Sequence, residues 1–206
     1  MAPTPHVTLE LQGALESDLF PADAGAWIRD IIAATLRQVG LDGWYEVSLA
    51  LTGDRAMRRV NRQHRGIDAS TDVLSFPQQD TPLIPLPPDQ VWAPHAFGDD
   101  THAAPPDDLP VIPSQITGII FAHQHDQVIS YGTPEQPLLL GDILISMPTI
   151  VRQAATAQHH PWWECCFLIA HGVLHLIGYD DYYEPGYQAM VAHQEAVLAE
   201  VGIPLH

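Results

Sequence analysis

The chain has 206 residues, with eight Lys and Arg against 25 Asp and Glu and a formal charge of −17. So acidic a balance repels nucleic acid at long range, and any contact with a polyanion has to be local. No stretch reaches the ~18 apolar residues that span a bilayer, and the N-terminal region lacks a basic start followed by an apolar run, so a cytoplasmic protein with no membrane partner is expected. One domain over residues 1–206 is expected at this length, and nothing in the sequence fixes an oligomeric state.

Residues 5–12 alternate, with Val7, Leu9 and Leu11 on one face, which is the period of a half-buried strand. From Ala22 to Val39, Ile28, Ile31, Ile32, Leu36 and Val39 recur at helical spacing, and Gly40 offers a stop. Residues 44–52 alternate again, and Gly53 and Asp54 then introduce a short helix ending near Gly66. That helix carries Arg55, Arg58, Arg59, Arg62 and Arg65, five of the chain's eight basic residues. A solvated helix face or a local anion-binding patch are the two readings. Residues 71–76 read as a buried strand closed by Pro77.

Between Pro77 and Pro113, ten prolines, six aspartates and no Lys or Arg cannot supply a regular helix or a central strand, so a loop-like insertion is expected over about 78–115. Strands are expected again at 116–122 and 138–146, plausibly as a hairpin, followed by helices at 148–158, 162–176 and 187–201. Strands early and helices late give an α+β fold: a small mixed sheet of about four to five strands packed with helices. The only cysteines, Cys165 and Cys166, are adjacent inside an apolar run, which suits reduced interior residues.

The segment HGVLHLIGYDD, residues 171–181, carries the chemistry. His171 and His175 are four apart on a helix, so both imidazoles can reach one ion. Gly178 lets the chain turn sharply, and the turn can bring Asp181 to the same ion, with Asp180 as the alternative donor. Two imidazoles and a carboxylate suit one Zn2+, although a harder divalent metal competes better than it would against three histidines. Metzincin proteases share this spacing but place a glutamate base after the first histidine, where this chain has Gly172. Glu164, seven before His171, lies on the same helical face and reads as an outer support of the ion or a surface acid. Tyr179 reads as packing.

Three segments, NRQHRGIDASTDVLSFP at 61–77, LGDILIS at 140–146 and HGVLHLIGYDD, resemble in order the YbeY endoribonuclease family of rRNA maturation factors. The family pattern H-G-x-L-H-L-x-G-Y-D-H is met at every fixed position but the last, where Asp181 replaces histidine. The resemblance implies an α+β fold with the metal site on a C-terminal helix. It further implies a metal-dependent endoribonuclease specific for single-stranded RNA, acting in small-subunit rRNA end processing and ribosome quality control. The partners implied are rRNA and the ribosome or its proteins. Arg65 matches the family's functional arginine, and its guanidinium is suited to gripping a scissile phosphate. Arg58, Arg59 and Arg62 could extend that grip. Asp181 leaves two other readings open: a ribosome-associated assembly protein with a structural metal, or a hydrolase of a non-RNA substrate.

Overall fold

The computed structural model describes residues 5–13, 18–84, 129–181 and 184–203. In chain order these form β1 (His6–Gln12), α1 (Ala24–Gln38), β2 (Leu41–Thr52), α2 (Asp54–Arg65), β3 (Val73–Pro77), β4 (Ile129–Tyr131), β5 (Leu138–Ser146), α3 (Met147–Ala157), α4 (Pro161–Ile177) and α5 (Glu184–Val201). The elements expected from periodicity are present within a few residues, and β2 starts earlier than its alternation suggested because Leu41 and Gly43 continue the buried set. The strand expected at 116–122 and its hairpin lie outside the described residues, as does most of the insertion.

The sheet runs β1-β2-β5-β3, with β4 pairing the start of β2. β1, β5 and β4 all run parallel to β2, while β3 is antiparallel to β5. The parallel β1–β2 pair follows from the intervening α1, because parallel neighbours need a crossover of helical length. Odd-numbered β2 residues such as Tyr45, Val47 and Leu49 are buried with Ile143 and Ile145 of β5 against α1 and α4. Ile28, Ile31, Ile32 and Leu36 form the buried stripe of α1. Both cysteines are buried, unpaired thiols of this core.

α2 lies on the other face of the sheet. Leu74 and Phe76 of β3 pair with Leu144 and Asp142, side chains that point away from α4. Asp54 anchors this helix, accepting bonds from Ser146 Oγ at 2.6 Å, Thr149 Oγ1 at 2.8 Å and Arg152 at 2.8 Å. Those partners, Arg152 first, hold its carboxyl below the usual carboxylate range. The arginine-bearing helix is thereby tied to the junction of β5 and α3.

After β3 the chain doubles back onto the end of α4. Leu83 N–H donates to Ile177 O at 3.0 Å, satisfying a helix-end carbonyl, and Leu83 and Ile84 enter the core. The first residues of the expected insertion are therefore irregular but packed.

Candidate metal centre

α4 is apolar almost all round, which is the pattern of a helix enclosed by its neighbours. From Glu164 to Tyr179 every residue is buried except His171 and His175. From Glu164 onward, the two histidines four apart are thus the stripe along which this helix meets solvent. Close packing holds them there: a Cβ at Gly172 would stand 2.9 Å from Ile143 Cγ2, so glycine lets the helix settle on β5. The direction that a metzincin-like sequence would fill with its glutamate is filled here by the sheet.

The helix stops at Gly178, whose φ of 119° is a left-handed conformation that side-chain-bearing residues rarely adopt. Gly178 and Tyr179 N–H groups donate back to Leu174 O at 3.2 and 2.9 Å. Pro82 covers the turn so closely that a Cβ at Gly178 would lie 2.6 Å from it. The turn returns Asp181 to the histidines: its carboxylate oxygens lie 3.7 Å from His171 Nε2 and 3.8 Å from His175 Nε2. One ligand atom from each of the three residues falls within 4.8 Å of the others, and Asp180 is not a member of the group.

The histidines are poised as ligands. His175 Nδ1 lies 2.9 Å from Tyr179 O, an acceptor only, so Nδ1 carries the proton and Nε2 keeps its lone pair. The two Nε2 atoms are 3.0 Å apart. Burial, then the neighbouring His175, holds the His171 imidazole below the usual histidine range, so it is neutral at physiological pH. Convergent imidazole nitrogens with a carboxylate beside them are a donor set that fits one divalent cation. Tyr179 is buried, with its hydroxyl 3.0 Å from His193 Nε2, in keeping with a packing role.

Behind the histidines lies a second polar layer. Asp72, at the entry to β3, holds Gln153 Nε2 at 2.8 Å and is near enough to His171 and Glu164 to influence both. Glu164 is a buried residue, 3% exposed, and not a surface acid. Its Oε2 is 2.9 Å from His159 Nε2, and burial, followed by Asp72, pushes its carboxyl up to about 7.

The arginines divide. Arg58 forms a two-pronged pair with Asp68, Nε to Oδ1 at 2.9 Å and NH2 to Oδ2 at 2.6 Å, and Arg62 approaches the same carboxylate at 3.5 Å. These two are engaged in holding the loop after α2, where Asn61 Nδ2 also donates to Ala69 O at 2.9 Å. Arg55, Arg59 and Arg65 are exposed and make no ion pair among the described residues. Arg65 stands at the last position of α2, where left-handed Gly66 turns the chain toward Asp72.

Sequence reasoning missed Asp72 and Gln194 as neighbours of His171. Asp72 sat inside a quoted motif without ligand spacing, and Gln194 comes from a separate helix.

A family model described as Endoribonuclease YbeY matches residues 16–202. Curated relatives named Endoribonuclease YbeY include that of Moorella thermoacetica, 36% identical over 173 residues, covering 84% of this chain and 83% of the relative. That of Roseiflexus castenholzii is 34% identical over 84% of this chain and 80% of its own, and that of Gloeobacter violaceus 30% identical over 96% and 76%. A solution structure of a Thermotoga maritima protein aligns with a TM-score of 0.47 and 18% identity, covering 95% of this chain and 88% of that one. A match of this extent, laid over the three segments that build the histidine helix, its turn and the strands beneath it, makes the chain a member of the Endoribonuclease YbeY family.

Proposed function

We propose that this chain is a single-strand-specific, metal-dependent endoribonuclease of rRNA maturation, with His171, His175 and Asp181 holding one divalent ion, zinc before others, and Arg65 gripping the scissile phosphate. The observation that carries the reading is the histidine stripe: two Nε2 atoms 3.0 Å apart on the partly exposed strip of a helix that is otherwise buried from Glu164 onward. A bound ion with an open coordination position would activate water or polarise a phosphate oxygen. The chain's own residues do the rest. His171, kept neutral by burial, presents its lone pair without first losing a proton, His175 turns its Nε2 toward the same point, and Asp181 adds an anionic oxygen that partly offsets the cation. Arg65 is permanently charged, exposed and unpaired among the described residues, which suits it to a substrate phosphate. With a net charge of −17, RNA must be met through such local cations, and the ribosome or its proteins are the partners this reading expects in the cytoplasm. The chain acts as one domain, with the Pro- and Asp-rich insertion an addition to it.

The test is metal analysis of the native protein together with cleavage of a single-stranded RNA. About one zinc per chain is expected, with His171→Ala losing both metal and cleavage. Retention of both by His171→Ala refutes the reading. The second reading, an assembly protein with a structural ion, is favoured by the departure at Asp181, and it predicts ribosome binding by wild type without turnover.

A further inference from the structure

α5 crosses behind α4 and carries a buried polar residue, Gln194, 1% exposed among Met190, Val197 and Leu198. A buried amide left unsatisfied is costly, so its partners have to be accounted for. Its Nε2 donates to Phe167 O at 3.1 Å. That bond settles which end of the amide is which, and leaves Oε1 as the end still seeking a donor. Among the described residues Oε1 has no partner of full hydrogen-bond geometry.

The polar group beside it is His171. Phe167 lies one helical turn before His171 on α4, and in a helix its carbonyl points toward the His171 backbone, so the amide that donates to Phe167 O is brought to the base of that imidazole. Nε2 of His171 faces His175, which leaves Nδ1 as the ring nitrogen not engaged in that contact. His175 has its Nδ1 pinned by Tyr179 O, while the corresponding atom of His171 lacks a backbone acceptor among the described residues. The orphaned acceptor and the unpinned donor are chemically complementary.

We propose that Gln194 is a positioning residue of the metal centre: its Oε1 accepts the Nδ1–H of His171 and holds the tautomer whose Nε2 lone pair faces the ion. This inference rests on the metal reading of the site. The chemistry is that of an outer-shell acceptor, which fixes ring orientation and raises the basicity of the coordinating nitrogen. It also explains why an amide is retained in an apolar helix interface: its nitrogen locks the amide to α4, and its oxygen serves the histidine.

The experiment is zinc affinity, measured by competition with a chromophoric chelator, for wild type, Gln194→Met and Gln194→Glu, beside nitrogen-15 NMR of the histidine rings in the zinc-loaded wild type. Loss of the acceptor in Gln194→Met is expected to weaken zinc binding about 10- to 100-fold, whereas Gln194→Glu, which keeps an oxygen there, stays close to wild type. The loaded wild type should show a slowly exchanging, downfield Nδ1 proton on His171. Unchanged zinc affinity in Gln194→Met overturns the inference alone, and would make Gln194 only a tie between helices. Should that variant fail to fold, weakened binding in folded Gln194→Glu or absence of the Nδ1 proton in wild type overturns it equally. A wild type that binds no zinc overturns the metal reading, and this inference with it.

Discussion

Replacing Glu164 by glutamine should stabilise the protein at alkaline pH and not at acid pH. The side chain is 4% exposed, and burial, with Asp72 adding to it, lifts its carboxyl from 4.5 to about 7. The neighbouring ring agrees: His159 Nδ1 lies 3.4 Å from His160 O, an acceptor, so Nε2 is the lone pair that a protonated Glu164 can donate to. A folded pKa above the unfolded one means that the carboxyl contributes fully below the unfolded value, 4.5, and that stability is lost as pH rises toward 7. At about 1.36 kcal/mol per pKa unit the loss above that window is about 3 kcal/mol. Glutamine keeps the shape and a donor for His159 but cannot ionise. Thermal melts of both proteins should therefore separate by roughly 6–12 °C at about pH 8, the variant being higher, and converge near pH 4. A difference independent of pH, or a variant less stable than wild type at pH ~8, would refute the reasoning and indicate a charged Glu164–His159 pair.

Four further outcomes follow from the packing and the proposed site. Gly172→Ala should destabilise: the added Cβ, 2.9 Å from Ile143, costs roughly 1–3 kcal/mol of overpacking against about 1 kcal/mol of helix propensity gained, and Ile143→Val should restore part of it in denaturant titrations. Arg65→Ala should reduce RNA cleavage by at least about tenfold without moving the melting temperature, while Arg58→Ala, whose guanidinium is already held by Asp68, should change cleavage little. The salt dependence of RNA binding should be shallow, with log–log slope near −0.7 for each phosphate neutralised, and a steep slope would mean that more cations engage than Arg65 and its neighbours supply. Asp181→His should shift the pH dependence of RNA cleavage to lower pH, because a neutral third ligand leaves more charge on the ion and so makes its bound water more acidic, and an unchanged pH profile would remove Asp181 from the ligand set.

Much of this site is local in the chain, and the local part was legible. His171, His175 and Gly178 lie within eight residues, where helical geometry and one left-handed turn decide what meets. Alternation located β1, β2 and β5 because each buries one face, whereas β4, three residues long, is too short to show a period. The outer layer was not legible. Gln194 reaches His171 from another helix, and nothing in its sequence neighbourhood separates it from a surface residue of α5. Glu164 was assigned the correct face of α4, but its burial depends on His159 and Asp72, which belong to other elements. The arginine run looked uniform because charge is visible in sequence and pairing is not; Asp68, three residues past Arg65, is what divides it.

The position of Gly172 links the fold to the chemistry. In a zinc protease with this spacing, the side chain after the first histidine takes a proton during hydrolysis. In this chain that direction is the contact between α4 and β5, where even a methyl group crowds Ile143. The tight contact seats the helix and, between Glu164 and Tyr179, leaves His171 and His175 as the partly exposed residues. A proton acceptor for RNA hydrolysis therefore has to come from the loop after Gly178, from another element of the fold or from the RNA itself. The packing that fixes the two histidines excludes the protease solution.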